Sequence, residues 1–183
     1  MTEDEFAIQE RAKEFARANK KAIAEELTNP AIFIPDPYPV SVFMAGSPGA
    51  GKTESSRNLI KSLTKDSQCV LRIDSDELRH CFSEYTGANS HLFMAATSII
   101  ADKIHDLALT NRQNFVFDGT LSNSERAREN IQRSLEKKRF VQILYVYQEP
   151  LQAWNFVKAR EKNDGRVIRE RLSLNTTLRH VKM

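Results

Sequence analysis

The chain has 183 residues, 40% hydrophobic and 28% charged, with a net charge of +3. This length fits one domain with a sizeable core, and the ordinary composition excludes fibrous or disordered classes. A charge of +3 is too small to indicate a nucleic-acid partner, and Cys69 and Cys81 lack the spacing of a disulfide scaffold. Acidic Thr2-Glu-Asp-Glu5 stands where a signal peptide would carry basic residues, and no apolar run is long enough to span a bilayer. A cytoplasmic location, with no membrane partner, is expected.

Residues 3–27 read as a helix, with Phe6, Ala12, Phe15, Ala16, Ile23 and Leu27 roughly on one stripe. Such a stripe usually packs within its own chain, the alternative being a partner surface. Asn29-Pro30 and Pro35-Asp-Pro-Tyr-Pro39 break the helix and force extended chain. The apolar run Val40–Ala45 then predicts a first strand.

Directly after it come Gly46, Ser47, Pro48, Gly49, Ala50, Gly51, Lys52 and Thr53, which fit G-x-x-x-x-G-K-[ST] between a strand and a helix. The glycines let successive N–H groups turn inward around a phosphate, and the helix starting near Lys52 adds its positive end. Lys52 would reach the β- and γ-phosphates, and the Thr53 hydroxyl would hold Mg²⁺. ATP or GTP is the expected ligand, and the lack of an Asn-Lys-x-Asp run argues against a GTPase switch.

A helix over 54–63 faces Leu59, Ile60 and Leu63 inward, and residues 69–73 predict a second strand with Cys69 as a core thiol. Residues 91–109 form another helix, offering Phe93, Met94, Ile99, Ile100, Ile104 and Leu107 for burial. A third strand over 114–117 and a polar helix over 124–138 follow. Phe140–Val146 is nearly continuously apolar, as a strand covered on both faces should be, and Pro150 suits the start of a last helix over 151–161. Strands alternating with helices predict an α/β fold, a P-loop-type parallel sheet flanked by helices, with an N-terminal helical extension.

In such a sheet, ligands sit beyond the carboxyl ends of the strands, and polar groups recur there. After strand two, Asp74 and Asp76 are spaced to lie on one side of an extended segment. One can take the proton of an attacking hydroxyl while the other holds the loop or an ion, or either can simply cap a helix beginning at Glu77. After strand three, Asp118 precedes Gly119 and Thr120. It can bind Mg²⁺ through water, hold a substrate hydroxyl, or close a turn. Arg160 and Arg166 flank the turn-like Lys162-Asn-Asp-Gly165, where a closing loop could neutralise charge on a transferred phosphoryl group. Arg166, Arg169 and Arg171 also read as an ordinary charged helix face. His80, His91, His105 and His180 show no metal-ligand spacing, and His91 and His105 read as solvated or buried helix residues.

With these residues in place, the chain resembles the zeta toxin family of P-loop kinases. The matching pieces are Gly46–Thr53, Ile73-Asp-Ser-Asp76 with Arg79, Phe117-Asp-Gly-Thr-Leu121, and Arg160 with Gly165-Arg166. The resemblance implies transfer of phosphate from ATP, with Mg²⁺, to the 3′-hydroxyl of UDP-N-acetylglucosamine, and an antitoxin partner that holds the enzyme inactive. It implies Asp76 as general base, with Lys52, Arg160 and Arg166 neutralising the triphosphate and the transition state. Asp74, Arg79, Asp118 and Thr120 would meet the sugar nucleotide, and Thr53 and Asp118 the metal. The P-loop kinase domain is expected at 40–183, and the helical extension and Pro-rich connector at 1–39 depart from the family pattern. The family's Glu-Gly-Thr-Leu-Arg reads Asp118-Gly-Thr-Leu-Ser122 here, removing one basic contact to substrate. The chain stops 17 residues after Arg166, where many members continue with a further helix and a strand, so either impaired activity or a compact or truncated member is expected. The alternatives are a polynucleotide 5′-hydroxyl kinase, which needs a basic groove, and a nucleotide-binding module without transfer activity.

Overall fold

A computed structural model of the chain describes residues 1–63, 69–119 and 123–164. Helix α1 spans Glu3–Leu27, strand β1 Val40–Ala45, helix α2 Lys52–Leu63 and strand β2 Leu71–Asp74. Helix α3 spans Met94–Thr110, strand β3 Phe115–Asp118, helix α4 Ser124–Glu136, strand β4 Phe140–Tyr145 and helix α5 Pro150–Asp164. The four strands form one parallel sheet in the order β2-β3-β1-β4, so the predicted α/β architecture is the observed one.

The period of two along the strands divides the core between the two faces of the sheet. Phe43, Leu71, Ile73 and Phe115 point to the face covered by α1 and α3, and Val42, Met44 and Val116 to the other, where Leu59 and Ile60 of α2 pack. On the first face His105 of α3 is wholly buried, edge-on to Phe115 at 5.1 Å and to Phe117 at 5.5 Å. Burial, with the charges of Arg133 and Arg139 nearby, pushes its pKa down to about 3, so it is a neutral core residue.

Helix α1 starts in a capping box. The Thr2 hydroxyl accepts from the Glu5 N–H at 3.2 Å, and the Glu5 carboxylate accepts from the Thr2 N–H at 2.8 Å. Its buried residues are Ala12, Ala16 and Ala24, in one core with Ala96, Ala101 and Ala108 of α3. Small side chains let the two helix backbones approach closely. For that reason Phe6, Phe15 and Leu27, expected on the buried stripe, stay partly exposed, and Phe15 rests edge-on against Phe82. The connector is tied to the sheet from below. Gln113 Nε2 donates to the carbonyls of Thr28 at 2.7 Å and Phe33 at 2.9 Å, and Asn114 Oδ1 accepts from the Val40 N–H at 2.7 Å.

Four further local expectations fail, the first being Leu63, expected to face inward but exposed at the end of α2. Among the described residues, β4 is not covered on both faces: it is an edge strand paired to β1 alone, with Phe140 and Ile143 more than half exposed. A run of apolar residues reads alike at the centre and at the edge of a sheet, and only strand order separates the two. Cys69 is exposed, because β2 begins two residues later than expected. Met94 is also exposed at the start of α3, while Phe93, Ile100 and Ile104 are buried. Among the described residues, no helix is long and apolar enough to cross a membrane.

Candidate active site

The register of the sheet sets the site. Asp74 and Asp118, the last residues of β2 and β3, are paired across the ladder, and Asp118 in turn pairs with Met44 of β1, two residues before Gly46. The glycine-rich loop, Asp118 and Asp74 therefore stand side by side at the carboxyl end of the sheet, where α/β folds bind ligands.

The loop Gly46–Gly51 joins β1 to α2 with backbone that side chains would obstruct. Gly46 has φ of +143°, and a Cβ there would overlap the Val146 carbonyl. Gly49 has φ of +78°, and its Cβ would lie 2.9 Å from the Ala153 carbonyl carbon and 3.0 Å from Val157 Cγ2. The loop is thus seated against the end of β4 and the first turns of α5. Lys52 Nζ donates to the carbonyls of Gly46 at 2.8 Å and Ser47 at 2.7 Å, which folds the ammonium back over the loop. A loop of this shape at a helix N-terminus suits a polyphosphate, whose oxygens attract both the N–H groups and the ammonium.

Beside the loop lies a network that sequence reasoning missed. Arg72 of β2 alternates with Leu71 and Ile73, so it shares with Asp74 the face covered by α2. Its Nη2 donates to Asp74 Oδ2 at 2.6 Å and to Asp118 Oδ2 at 2.5 Å. Its Nη1 donates to Glu77 Oε1 at 2.5 Å, and its Nε to Ser56 Oγ of α2 at 3.0 Å. The Ser56 hydroxyl lies 2.8 Å from Asp118 Oδ2. The Asp74 and Asp118 side chains are only 9% and 4% exposed, so one guanidinium neutralises two buried carboxylates. Burial and the neighbouring charge of Asp76 push the Asp74 carboxyl up to about 6, against the pull of Arg72. An arginine within an apolar strand, two residues before a strand-end aspartate and so on the same face of the sheet, is the signal that could have found this network.

Asp76 differs in environment. It opens a short 3-10 helix, Glu77–Cys81, without capping it through its side chain, so the capping alternative does not describe it. Its side chain is 43% exposed, and Oδ1 accepts from Nη1 of the buried Arg79 at 2.6 Å. Asp74 Oδ1 accepts the Asp76 N–H at 2.8 Å, which fixes the turn between the two carboxylates. One aspartate is thus buried and the other is open to an approaching hydroxyl.

Gly46–Thr53, Asp74, Asp76, Arg79 and Asp118 therefore gather at one end of the sheet. Thr120 and Arg166 lie outside the described residues, and so does the side chain of Arg160 on α5. Among the described residues, no three or more His, Cys, Asp or Glu side chains form a metal cluster. A surface recess of about 380 Å³ between α3 and α4 is lined by Lys103, Asp106, Arg133 and Glu136. It lies at the opposite end of the sheet and takes no part in this site.

Comparison with known proteins agrees with the fold. The fold is similar to a chain from the PezAT chromosomal toxin–antitoxin system of Streptococcus pneumoniae, with TM-score 0.67, 18% identity, and 89% of this chain and 65% of that one covered. A chain of the Pnkp1/Rnl/Hen1 RNA repair complex matches with TM-score 0.60, 17% identity and coverages of 79% and 45%. A chain of the AvrRxo1-ORF1:-ORF2 complex matches with TM-score 0.61, 17% identity and coverages of 93% and 54%. The present chain spans between 45% and 65% of the length of these structures, and such identities show a shared fold. No curated protein sequence matches the chain. The family model described as zeta toxin matches residues 23–181, nearly the whole sequence, and so the chain belongs to the zeta toxin family.

Proposed function

We propose that the chain is an ATP-dependent phosphotransferase whose acceptor is a hydroxyl of a small molecule, UDP-N-acetylglucosamine being the first candidate. The observation that carries this reading is the sheet register, which sets the glycine-rich loop beside Asp118 and the Asp74–Asp76 turn. Membership of the zeta toxin family supports it, as does the similarity, at TM-score 0.53 and 18% identity, to an AvrRxo1-ORF1:-ORF2 structure with ATP.

In this reading the N–H groups of Gly46–Thr53 cradle the β- and γ-phosphates, and Lys52 exchanges its two carbonyl partners for phosphate oxygens. Asp76, open to solvent and oriented by Arg79, accepts the proton of the attacking hydroxyl. The buried Asp74 holds the turn that aims it. Asp118, Asp74 and Arg79 line the acceptor side; Thr120, Arg160 and Arg166 are proposed from the family pattern, Thr120 for the acceptor and the two arginines for the transferred phosphoryl group. Thr53 and the remaining oxygen of Asp118 are hard donors that suit Mg²⁺, which keeps most of its shell as water and phosphate oxygen. When bound, the metal would neutralise charge on the phosphates. Residues 40–183 form the kinase domain in this reading, and 1–39 are an extension docked on it. An antitoxin is the proposed partner, since the similar chains come from the PezAT toxin–antitoxin system and the AvrRxo1-ORF1:-ORF2 complex.

A polynucleotide acceptor is the second reading, favoured by the likeness to the RNA repair complex chain. Purified protein incubated with Mg²⁺ and γ-labelled ATP, against UDP-sugars and a 5′-hydroxyl oligonucleotide, separates the two. Label on UDP-N-acetylglucosamine supports the first, and label on the oligonucleotide alone supports the second. ATP binding with no transfer to any acceptor would contradict both.

A further inference from the structure

We propose that Arg72 is a positioning residue for phosphoryl transfer, clamping the nucleotide side and the acceptor side of the site into one frame through Ser56, Asp118 and Asp74. The proposal rests on the phosphotransferase reading above and extends it to a residue outside the loop and aspartate motifs.

The guanidinium is where the two halves meet. Toward the nucleotide, its Nε reaches Ser56 Oγ at 3.0 Å, and Ser56 lies in the first turns of α2, with Oγ also 3.0 Å from the Thr53 carbonyl. Toward the acceptor, its Nη2 holds the ends of β2 and β3 through Asp74 and Asp118. Asp74 then passes the constraint on, because its other oxygen accepts the Asp76 N–H at 2.8 Å. One planar group therefore connects the helix behind the phosphate loop to the turn that carries the proposed base. With its side chain only 11% exposed, Arg72 has little freedom to leave.

The fork geometry is what the role requires. A guanidinium presents five N–H donors in one plane and can serve Ser56, Glu77, Asp74 and Asp118 together. A lysine at this position keeps the charge but is a compact point donor. It neutralises the buried carboxylates without fixing their relative orientation. Displacements of about 1 Å in a transfer site cost about a hundredfold in rate even when they arise away from the reacting atoms.

The test uses the full chain with Arg72→Lys, and Ser56→Ala as a second, milder variant that cuts the same link from α2. Four quantities are read: melting temperature, ATP affinity, kcat and KM for transfer to the acceptor identified above, and hydrogen exchange of the Asp76 amide. For Arg72→Lys, ATP affinity should stay within about threefold while kcat falls at least about tenfold, the mark of an interaction needed in the transition state. The Asp76 amide should exchange faster, and Ser56→Ala should show the same pattern more weakly. Unchanged kcat in a folded Arg72→Lys protein overturns the proposal. Equal losses of ATP affinity and kcat overturn it too, since they mean general damage to the fold. Should the wild-type protein transfer phosphate to no acceptor, the phosphotransferase reading fails on its own. The exchange arm then still decides whether Arg72 orders the Asp76 turn, and unchanged exchange refutes the clamp.

Discussion

Two glycines of the loop between β1 and α2, both with positive φ, should respond very differently to alanine. Gly51 has φ of +87°, and a methyl group added there would meet nothing within 4 Å, whereas a methyl on Gly49 would sit 2.9 Å from the Ala153 carbonyl carbon. Left-handed backbone costs a non-glycine residue roughly 1–2 kcal/mol, and that is the whole expected cost of Gly51→Ala. For Gly49→Ala the same strain is joined by a backbone clash. Carbon atoms settle at about 3.5–4.0 Å, so the loop and α5 must separate by up to about 1 Å. Overpacking of this kind adds about 1–3 kcal/mol, giving about 2–5 kcal/mol in all. At about 2–4 °C per kcal/mol for a chain of this size, Gly49→Ala should melt several degrees below Gly51→Ala. Because the displaced segment is the proposed phosphate cradle, ATP affinity should also fall further, by about tenfold or more relative to Gly51→Ala, since each 1.4 kcal/mol is tenfold. Thermal denaturation and titration with a fluorescent ATP analogue measure both. Equal melting temperatures and equal ATP affinities would refute the packing of the loop against α5.

Lys52→Ala should weaken ATP binding by about 10- to 100-fold, the worth of a charge-assisted contact to phosphate; unchanged affinity in a direct titration would undo the loop's assignment. His105→Leu, close in volume, should alter the pH dependence of stability. The wild-type histidine stays neutral in the fold down to about pH 3, while the unfolded chain takes up a proton below its ordinary value near 6.5. Its contribution is present in full above pH 6.5 and is lost as the pH falls from there toward 3. On going from pH 7.5 to pH 5, urea denaturation should therefore show the wild type losing about 2 kcal/mol more than the variant. Asp74, raised to about 6, acts with the opposite sign, its ionisation costing stability as the pH rises from about 4 to 6. It is common to both proteins and cancels in the difference. Identical pH profiles would mean that His105 is not held neutral by the core.

The fold was legible because its local signals agree. The run Val40–Ala45, the glycines after it and the helix from Lys52 each specify one piece of a strand–loop–helix unit. Polar residues after each strand mark the end of the sheet where the site gathers. What escaped depends on pairing between distant segments. The stripe on α1 contains both phenylalanines and alanines, and only the closeness of α3 selects the alanines for burial. Edge exposure of β4 follows from strand order, which no short window contains. Arg72 was hidden because its four acceptors come from α2, β2, β3 and the 3-10 helix, and a lone arginine in a strand shows none of them. Separating the roles of Asp74 and Asp76 likewise needed the difference between a buried side chain at 9% exposure and an open one at 43%.

The most direct measurement is single-turnover transfer from γ-labelled ATP by the wild type and by Asp76→Asn, with ATP binding measured in parallel. Removal of a general base should slow transfer by about 10²- to 10⁴-fold while ATP affinity stays close to that of the wild type. Transfer by Asp76→Asn at the wild-type rate would contradict the assignment of the base and, with it, the proposed use of this end of the sheet.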